Sequence, residues 1–403
     1  MSENRLHIHV SGHDRPGILS KVVEKATQFD WKIADIKMFV FNDMLNLSLL
    51  MESSNSDGDD ELKKSLDEYG KSSDVRINYS YPEEGVAEGL EYSHRHVVTV
   101  LGKKIDSRAL MEFTKTVAEL DINILRIEQL DSGDYHVLEF VIGMRDNLPS
   151  SELLSSLVQF KENRGVDIAI QEDTMFRRNK RLIVMDADMT FLQCEVIDEL
   201  GKLAGVEDEM KAITQKAMAG KMDFEEALRT RVSLLKGLPI SDLEILRENI
   251  PLTSGAKILV KILKHLGYKI AIVSGGFQFF IDHLKDKYRL DYGFANELGV
   301  EEGKLTGEVK GEIIDAKAKE KKLVLLAEKE GFSLKQVVAV GDGANDIYML
   351  AKAGLGIAFN AKPIVQQHVR ASINISNLEL ILYFLGINGK ELQELRKIVG
   401  GFS

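Results

Sequence analysis

Apolar residues recur along this chain in two rhythms, and the rhythm changes near Arg178. In the first stretch, Leu6 to Val10 alternates apolar and polar residues, as a strand with one buried face does, and Ile18 to Phe29 repeats its apolar positions as an amphipathic helix does. Ile33 to Phe41 and Met44 to Met51 read as a hairpin turning at Asn42-Asp43, Glu61 to Tyr69 as a second helix, and Val75 to Tyr79 as a closing strand. Between the first strand and helix, Ser11-Gly12-His13-Asp14-Arg15-Pro16-Gly17 has the composition of a turn, with Pro16 expected at an early helical position where its missing N–H costs nothing.

The same order returns about ninety residues later, as one supersecondary unit used twice. Val97 to Leu101 matches Leu6 to Val10, Gly102 stands near the place of Gly12, Ile124 pairs with Ile33, and Ile127 with Ile36. Leu153 to Phe160 and Val166 to Ile170 supply the last helix and strand. Between the copies, the acidic segment YPEEGVAEGLEYSH carries Pro82, Gly85 and Gly89 and suits a linker.

Beyond Arg178, short apolar strands alternate with longer helical runs, the pattern of a doubly wound parallel sheet with helices on both faces. Strands are expected at Leu182 to Met185, Lys269 to Val273 and Val337 to Val340, with shorter ones near Gly293 to Ala295 and Leu355 to Phe359. The stretch from Glu195 to Leu238 has no Pro and is rich in Leu, Glu, Lys and Ala, so it predicts a helical insert placed to cap the sheet.

Composition narrows the class without deciding it. The chain has 403 residues, 44% hydrophobic and 29% charged, enough for two to four folded domains. Its net charge of -11 argues against a nucleic-acid binder, though a local cationic pocket could still take a small anion. Cys194 is the single cysteine, which excludes an internal disulfide and a thiolate metal cluster. No apolar run reaches the roughly 18 residues of a membrane span, and the N-terminal MSENRLHIHV lacks the apolar core of a signal peptide, so a cytoplasmic protein is expected.

Candidate chemistry sits at the ends of the expected strands, where ligands bind in such sheets. Asp186, Asp188 and Thr190 follow Leu182 to Met185; on an extended chain residues i and i+2 point the same way, so both carboxylates can address one metal and one reacting group. A strand with an acidic turn accounts for the pattern equally well. Ser274-Gly275-Gly276-Phe277 offers a hydroxyl and open backbone to phosphate oxygens, yet it is also the composition of an ordinary turn. Asp342-Gly343-Ala344-Asn345-Asp346 brings two more carboxylates, which burial would make costly unless a metal or solvent met them. Lys319, in KAKEKKL, reads by itself as a solvated surface lysine.

Two family resemblances organise these signals. The DRPG turn within the βαββαβ pattern resembles the ACT domain, a small amino-acid-binding module of ferredoxin-like topology; the second copy departs from it, reading KKIDSRAL with neither Pro nor Gly. The resemblance implies ACT-like domains at 1–82 and 93–172, a homodimer, since ACT modules pair, and an amino-acid effector such as L-serine near Asp14 and Gly17. Two ferredoxin-like domains that only dimerise remain the alternative.

The ordered set DxDxT, SGGF, lysine and GDGAND resembles the haloacid dehalogenase superfamily of phosphohydrolases. EVIDEL, KMDFEEALRTRVSLLKGL, VSGGF, FAN, GKLTGEV and VAVGDGANDIYML bring it closest to the phosphoserine phosphatases within that superfamily. The resemblance spans 178–403, with the cap at about 196–250. It implies that Asp186 is the nucleophile and Asp188 the acid and base, and that Ser274, Gly275 and Lys319 hold the phosphoryl group with Asn345 nearby. Asp186, the Asp188 backbone carbonyl and Asp342 would bind Mg²⁺, supported by Asp346. In the cap, Glu195 would meet the ammonium and Arg231 the carboxylate of O-phospho-L-serine, shielded by Met218 and Phe224, which as bare sequence also read as packing residues. Position 189, commonly Ser in this family, is Met here, and Phe191 stands where Leu is usual. A phosphatase or phosphotransferase for another small phosphomonoester, and an amino-acid-sensing regulatory protein, are the competing readings.

Overall fold

A computed structural model of the chain describes residues 4–54, 58–82, 92, 94–144, 150–218 and 222–400. It forms two compact units, Met1–Glu91 and Tyr92–Ser403. Most of the expected linker between the repeats, 83–91 and 93, lies outside the described residues.

In the first unit, β1 (Asn4–His13), α1 (Ile18–Gln28), β2 (Lys32–Phe41), β3 (Met44–Ser53), α2 (Asp59–Ser73) and β4 (Val75–Ser80) give the βαββαβ order. The sheet is antiparallel in the order β2-β3-β1-β4. Leu6, Ile8 and Val10 alternate inward and pack with Val22 and Leu62 of the helices. Asn42 and Asp43 join β2 to β3 with φ of 47° and 61°, the two positive values of a tight hairpin turn. Two expectations change here. The first strand runs on through His13, and Pro16 lies outside the helix, which starts at Ile18 after Gly17 at φ 98°.

The second unit opens with the same order: β5 (His94–Gly102), α3 (Ser107–Glu119), β6 (Asn123–Ser132), β7 (His136–Met144), α4 (Ser150–Arg164) and β8 (Asp167–Glu172). Half of KKIDSRAL is helix rather than turn, because Asp106 accepts a hydrogen bond from Ala109 N at 2.8 Å and caps α3. The phosphohydrolase-like part follows with β9 (Leu182–Met185), the cap helices α5 (Val196–Ala204), α6 (Glu207–Met218), α7 (Phe224–Ser233) and α8 (Ile240–Asn249), then α9 (Ala256–His265), β10 (Lys269–Phe277), α10 (Gln278–Tyr288), β11 (Tyr292–Glu301), β12 (Lys304–Lys310), α11 (Ala316–Glu330), β13 (Val337–Gly341), β14 (Leu355–Phe359) and β15 (Ala371–Ile373).

Strands β11-β10-β9-β13-β14-β15 are parallel neighbours, with β12 antiparallel at one edge. All four residues of β9 are fully buried, as a central parallel strand requires. At the other edge β15 pairs antiparallel with β8, so the second ACT-like sheet continues into the parallel one and the two make eleven strands. The apolar core is shared as well: Leu101, Leu130, Val137 and Ala169 belong to the same cluster as Ile183 and Phe384.

Candidate active site

The crevice beyond the carboxyl ends of β9, β10 and β13 gathers most of the candidate residues. The strand carrying Asp186 stops at Met185, so the expected extended geometry does not hold. Asp186 itself is extended, and the chain then winds through one wide helical turn, Ala187–Phe191, closed by Leu192 N donating to Ala187 O at 2.8 Å. Met189 takes φ 54° within it and stays 44% exposed. The turn nonetheless brings Asp188 back to the crevice, where its Oδ1 accepts from Val196 N at 3.1 Å. A Cβ on Gly276 would lie 2.9 Å from Asp188 Oδ2 and 3.0 Å from Ser274 Oγ, so only glycine fits between them.

Lys319 overturns the surface reading, since it is fully buried. Its Nζ lies 2.8 Å from Asp186 Oδ1 and 2.7 Å from Asp346 Oδ1. Position in the first turn of α11, capped by Asp315 through Ala318 N at 2.8 Å, aims this lysine at the strand ends, while Lys317 and Lys321 in KAKEKKL stay exposed. Asp346 also accepts from Gly343 N at 3.0 Å, and a Cβ on Gly341 would come within 2.4 Å of its carboxylate. Asp342 accepts from Thr190 Oγ1 at 3.1 Å, and Thr190 O accepts from Thr253 Oγ1 at 2.6 Å.

Carboxylate oxygens of Asp186, Asp342 and Asp346 lie within 4.8 Å of one another. Burial, and then the Asp346 charge, hold the Asp186 carboxyl well above its ordinary range against the pull of Lys319. Burial and Glu195 push Asp188 up to about 7, and burial and Asp346 push Asp342 up to about 6. Burial acts to lower the Lys319 ammonium, but Asp186 and Asp346 more than offset it. Three carboxylates against one ammonium leave a negative balance in a mostly buried cluster, and every candidate ligand atom is an oxygen. That donor set fits a hard divalent cation.

At the end of β10, Ser274 is fully buried and its Oγ accepts from Gly276 N at 2.8 Å. The SGGF segment is the end of β10 rather than an ordinary turn, with a register shift against β11 between Val273 and Phe277. Buried Asn296 fixes it: Nδ2 donates to Gly275 O at 2.8 Å while Oδ1 accepts from Ile314 N at 2.8 Å. Phe224, half-buried at the start of α7, stands 3.3 Å from where a Gly275 Cβ would be. Glu195 and Arg231 come together electrostatically. Desolvation by the surrounding protein and then Asp198 raise Glu195 while Arg231 lowers it, and burial depresses Arg231. Asn345 is half-buried in the turn before Asp346; Met218 ends α6 and its side chain lies outside the described residues.

Asp14 and Gly17, expected from the sequence to meet an effector, belong to the first unit. Asp14 is exposed, with its N–H donating to Asp43 O at 2.8 Å, and Gly17 keeps its positive φ. A cavity of about 590 Å³ in that unit is lined by Ser11, Gly12, His13, Lys71, Asp74 and Arg76 among others, and by neither Asp14 nor Gly17. Sequence reasoning missed Asn296 and Thr253 as site residues. Asn296 was visible in the FAN run, whereas nothing near Thr253 marks it.

This fold and site define a haloacid dehalogenase-like hydrolase behind two ACT domains. The sequence profile of haloacid dehalogenase-like hydrolases matches residues 183–351, and ACT domain profiles match residues 4–80 and 94–171. A phosphoserine phosphatase of Streptomyces coelicolor is 36% identical over 389 residues, 96% of this chain and 93% of its own, and one of Mycobacterium tuberculosis is 35% identical over 394 residues, 96% and 94%. The crystal structure of a HAD family hydrolase from Salmonella enterica serovar Typhi matches with TM-score 0.64 and 29% identity, covering 72% of this chain and 98% of that one. The chain belongs to the phosphoserine phosphatase family, as an enzyme with a small-molecule substrate. Among the described residues no helix is long and apolar enough to cross a membrane.

Proposed function

We propose that the enzyme hydrolyses O-phospho-L-serine to L-serine and phosphate, the last step of serine biosynthesis, through an acyl phosphate on Asp186. The observation that carries this reading is the buried Asp186–Lys319–Asp346 arrangement, at 2.8 and 2.7 Å, beside Asp342 and Ser274. An Asp186 oxygen attacks phosphorus and the P–O bond to serine breaks, while Asp188 gives its proton to the departing serine oxygen. A carboxyl pushed up to about 7 carries that proton in about half of the molecules at neutral pH, far more than an ordinary aspartate would. Asp188 then takes a proton from water, whose oxygen attacks phosphorus and frees Asp186. Lys319, Ser274 Oγ and the Gly275 N–H meet the charge on the phosphoryl oxygens, with Asn345 close by. Asp186, Asp342 and the Asp188 carbonyl, with Asp346 in support or as a further ligand, would hold Mg²⁺, which supplies charge neutralisation to the phosphoryl group. Glu195 and Arg231 select an amino acid by its two charges, and Phe224 shields the site.

The single free cysteine and the paired ACT profiles support a cytoplasmic homodimer whose ACT half senses L-serine. Phosphate release from O-phospho-L-serine and from phosphomonoesters lacking a carboxylate, with and without Mg²⁺, tests the reading. Asp186→Asn should abolish turnover in a folded protein, and Arg231→Ala should harm phosphoserine hydrolysis far more than that of the simpler esters. Equal rates on all esters, or activity surviving Asp186→Asn, would overturn it.

A further inference from the structure

A cavity of about 320 Å³ opens at the seam where β8 joins the parallel sheet, on the side where β9, β13 and β14 begin. It therefore lies at the opposite end of those strands from Asp186 and Asp342. Its charged lining is Arg177, Lys180, Lys335 and Arg370 against the single acid Glu172, in a chain whose net charge is -11. A concentration of cations in so acidic a protein needs a cause.

Two of these cations are buried and incompletely satisfied. Lys180 is 4% exposed, and its Nζ donates to the Lys335 carbonyl at 2.6 Å; among the described residues no carboxylate pairs with it. Burial and then the Arg177 charge push its ammonium down to about 8, with Glu172 opposing them only in part. Arg177 is also 4% exposed, gives one Nη to Glu139, and leaves its Nε buried without a partner. Gln171, in the same lining, donates to Phe384 O at 2.8 Å while its buried Oε1 accepts nothing. An ammonium buried without a carboxylate beside it is costly unless an anion meets it.

We propose that this cavity is a binding site for a phosphate-class anion, either inorganic phosphate or the phosphoryl group of a small monoester. Lys180 would hold its oxygens from the buried side, and Lys335 and Arg370 would face it from the more open side. Four cationic side chains against one acid favour a dianion such as phosphate over a singly charged carboxylate. The site stands independently of the catalytic reading, because none of its residues belongs to the crevice.

Calorimetric titration of the full-length chain with inorganic phosphate, with acetate and L-serine as competing probes, decides the matter. The expected result is two phosphate classes per chain. One is weakened roughly tenfold or more by Lys180→Met and by Arg370→Gln, as loss of a charge-assisted contact implies. Inhibition of phosphatase turnover by phosphate should stay unchanged in both variants. Near pH 8, binding to this class should also take up protons in the wild type and not in Lys180→Met. Of the groups facing Lys180, which are Arg177, Glu172, Lys335, His368 and Arg370, none duplicates a buried ammonium held by one carbonyl. If Lys180→Met fails to fold, the exposed Arg370→Gln carries the test alone. A single phosphate per chain that competes with substrate would overturn the proposal, as would two classes untouched by either variant. Acetate or L-serine occupying the seam as tightly as phosphate would overturn the phosphate class.

Discussion

The two ACT copies share an order of elements but differ in what their last strand does. In the first, β4 ends a self-contained sheet and its burial alternates along Val-Arg-Ile-Asn-Tyr-Ser, one face in and one face out. In the second, β8 is buried over five consecutive residues because it lies inside an eleven-stranded sheet, between β5 and β15. The same repeat is thus a separate unit once and a structural part of the phosphatase once. The sequence difference follows: Asp-Ile-Ala-Ile lacks the exposed polar positions that a one-sided strand carries.

The largest test of this contrast is truncation. A chain beginning at Tyr92 should keep its fold and phosphatase activity, whereas one beginning at Arg178 uncovers the β15 edge and removes Leu101, Leu130 and Val137 from the common core. At about 1.5 to 3 kcal/mol for each large apolar side chain, that loss is roughly 5 to 9 kcal/mol, comparable to the whole stability of a domain. Soluble, active protein from the shorter chain would show that β8 is dispensable. Serine sensitivity is therefore better assigned by comparing the full chain with the one starting at Tyr92.

A smaller cut separates the copies at matched positions. Asp167, 2% exposed, accepts from Asn374 N and Nδ2, both at 2.9 Å, and so ties β8 to the phosphatase. Asp167→Ala should cost about 2 to 4 kcal/mol, whereas Arg76→Ala, at the exposed equivalent on β4, should stay within about 0.5 kcal/mol. Trp31, the single tryptophan, is buried in the first unit, so its fluorescence follows that unit while activity follows the second. Denaturant midpoints should shift for activity and not for fluorescence in Asp167→Ala. A common shift would mean that the units unfold together.

Elements with their own period were legible, and the site was legible where chemistry sits at strand ends. Asp186, Ser274 and Asp342 follow apolar runs, so their place in the crevice could be inferred from the runs alone. Lys319 could not be read this way, because among the charged residues of KAKEKKL it alone is buried, where the first turn of α11 directs it inward. Asp188 was expected on an extended strand, and the wide turn with Met189 at φ 54° has no signature in a residue without glycine's freedom. β15 is three residues long, too short for any period, and it is the strand that fuses the two sheets.

The helix entries give the next smaller contrast. Gly17 precedes α1 at φ 98°, with open space where a Cβ would stand, the nearest atom being Ser20 Oγ at 4.0 Å. Gly17→Ala therefore meets backbone strain rather than a clash, and should lower the fluorescence midpoint by about 1 to 2 kcal/mol while leaving the activity midpoint alone. The second copy enters α3 through extended Asp106, so Asp106→Ala should instead act on the activity midpoint, through the lost bond to Ala109 N. A Gly17→Ala chain with the wild-type midpoint would show that the turn can relax to negative φ.

The smallest effect concerns acid. His96 on β5 stands at the repeat position of Arg5 on β1, and the two respond to pH differently. Burial, and after it the Arg370 charge, depress the His96 imidazole below its ordinary value, and its Nδ1 is buried without a partner. The fold therefore favours the neutral ring. Its contribution is present above the unfolded pKa of about 6.5 and is lost as pH falls through the lower folded value. Arg5, paired with Glu52 at 2.8 Å, keeps its charge throughout that window. Between pH 7.5 and pH 5 the activity midpoint of the wild type should fall more than that of His96→Gln, by at most the slope of a single proton, with no matching difference in the Trp31 transition. Equal acid slopes in wild type and variant would assign the loss to other groups and remove His96 as the distinction between the copies.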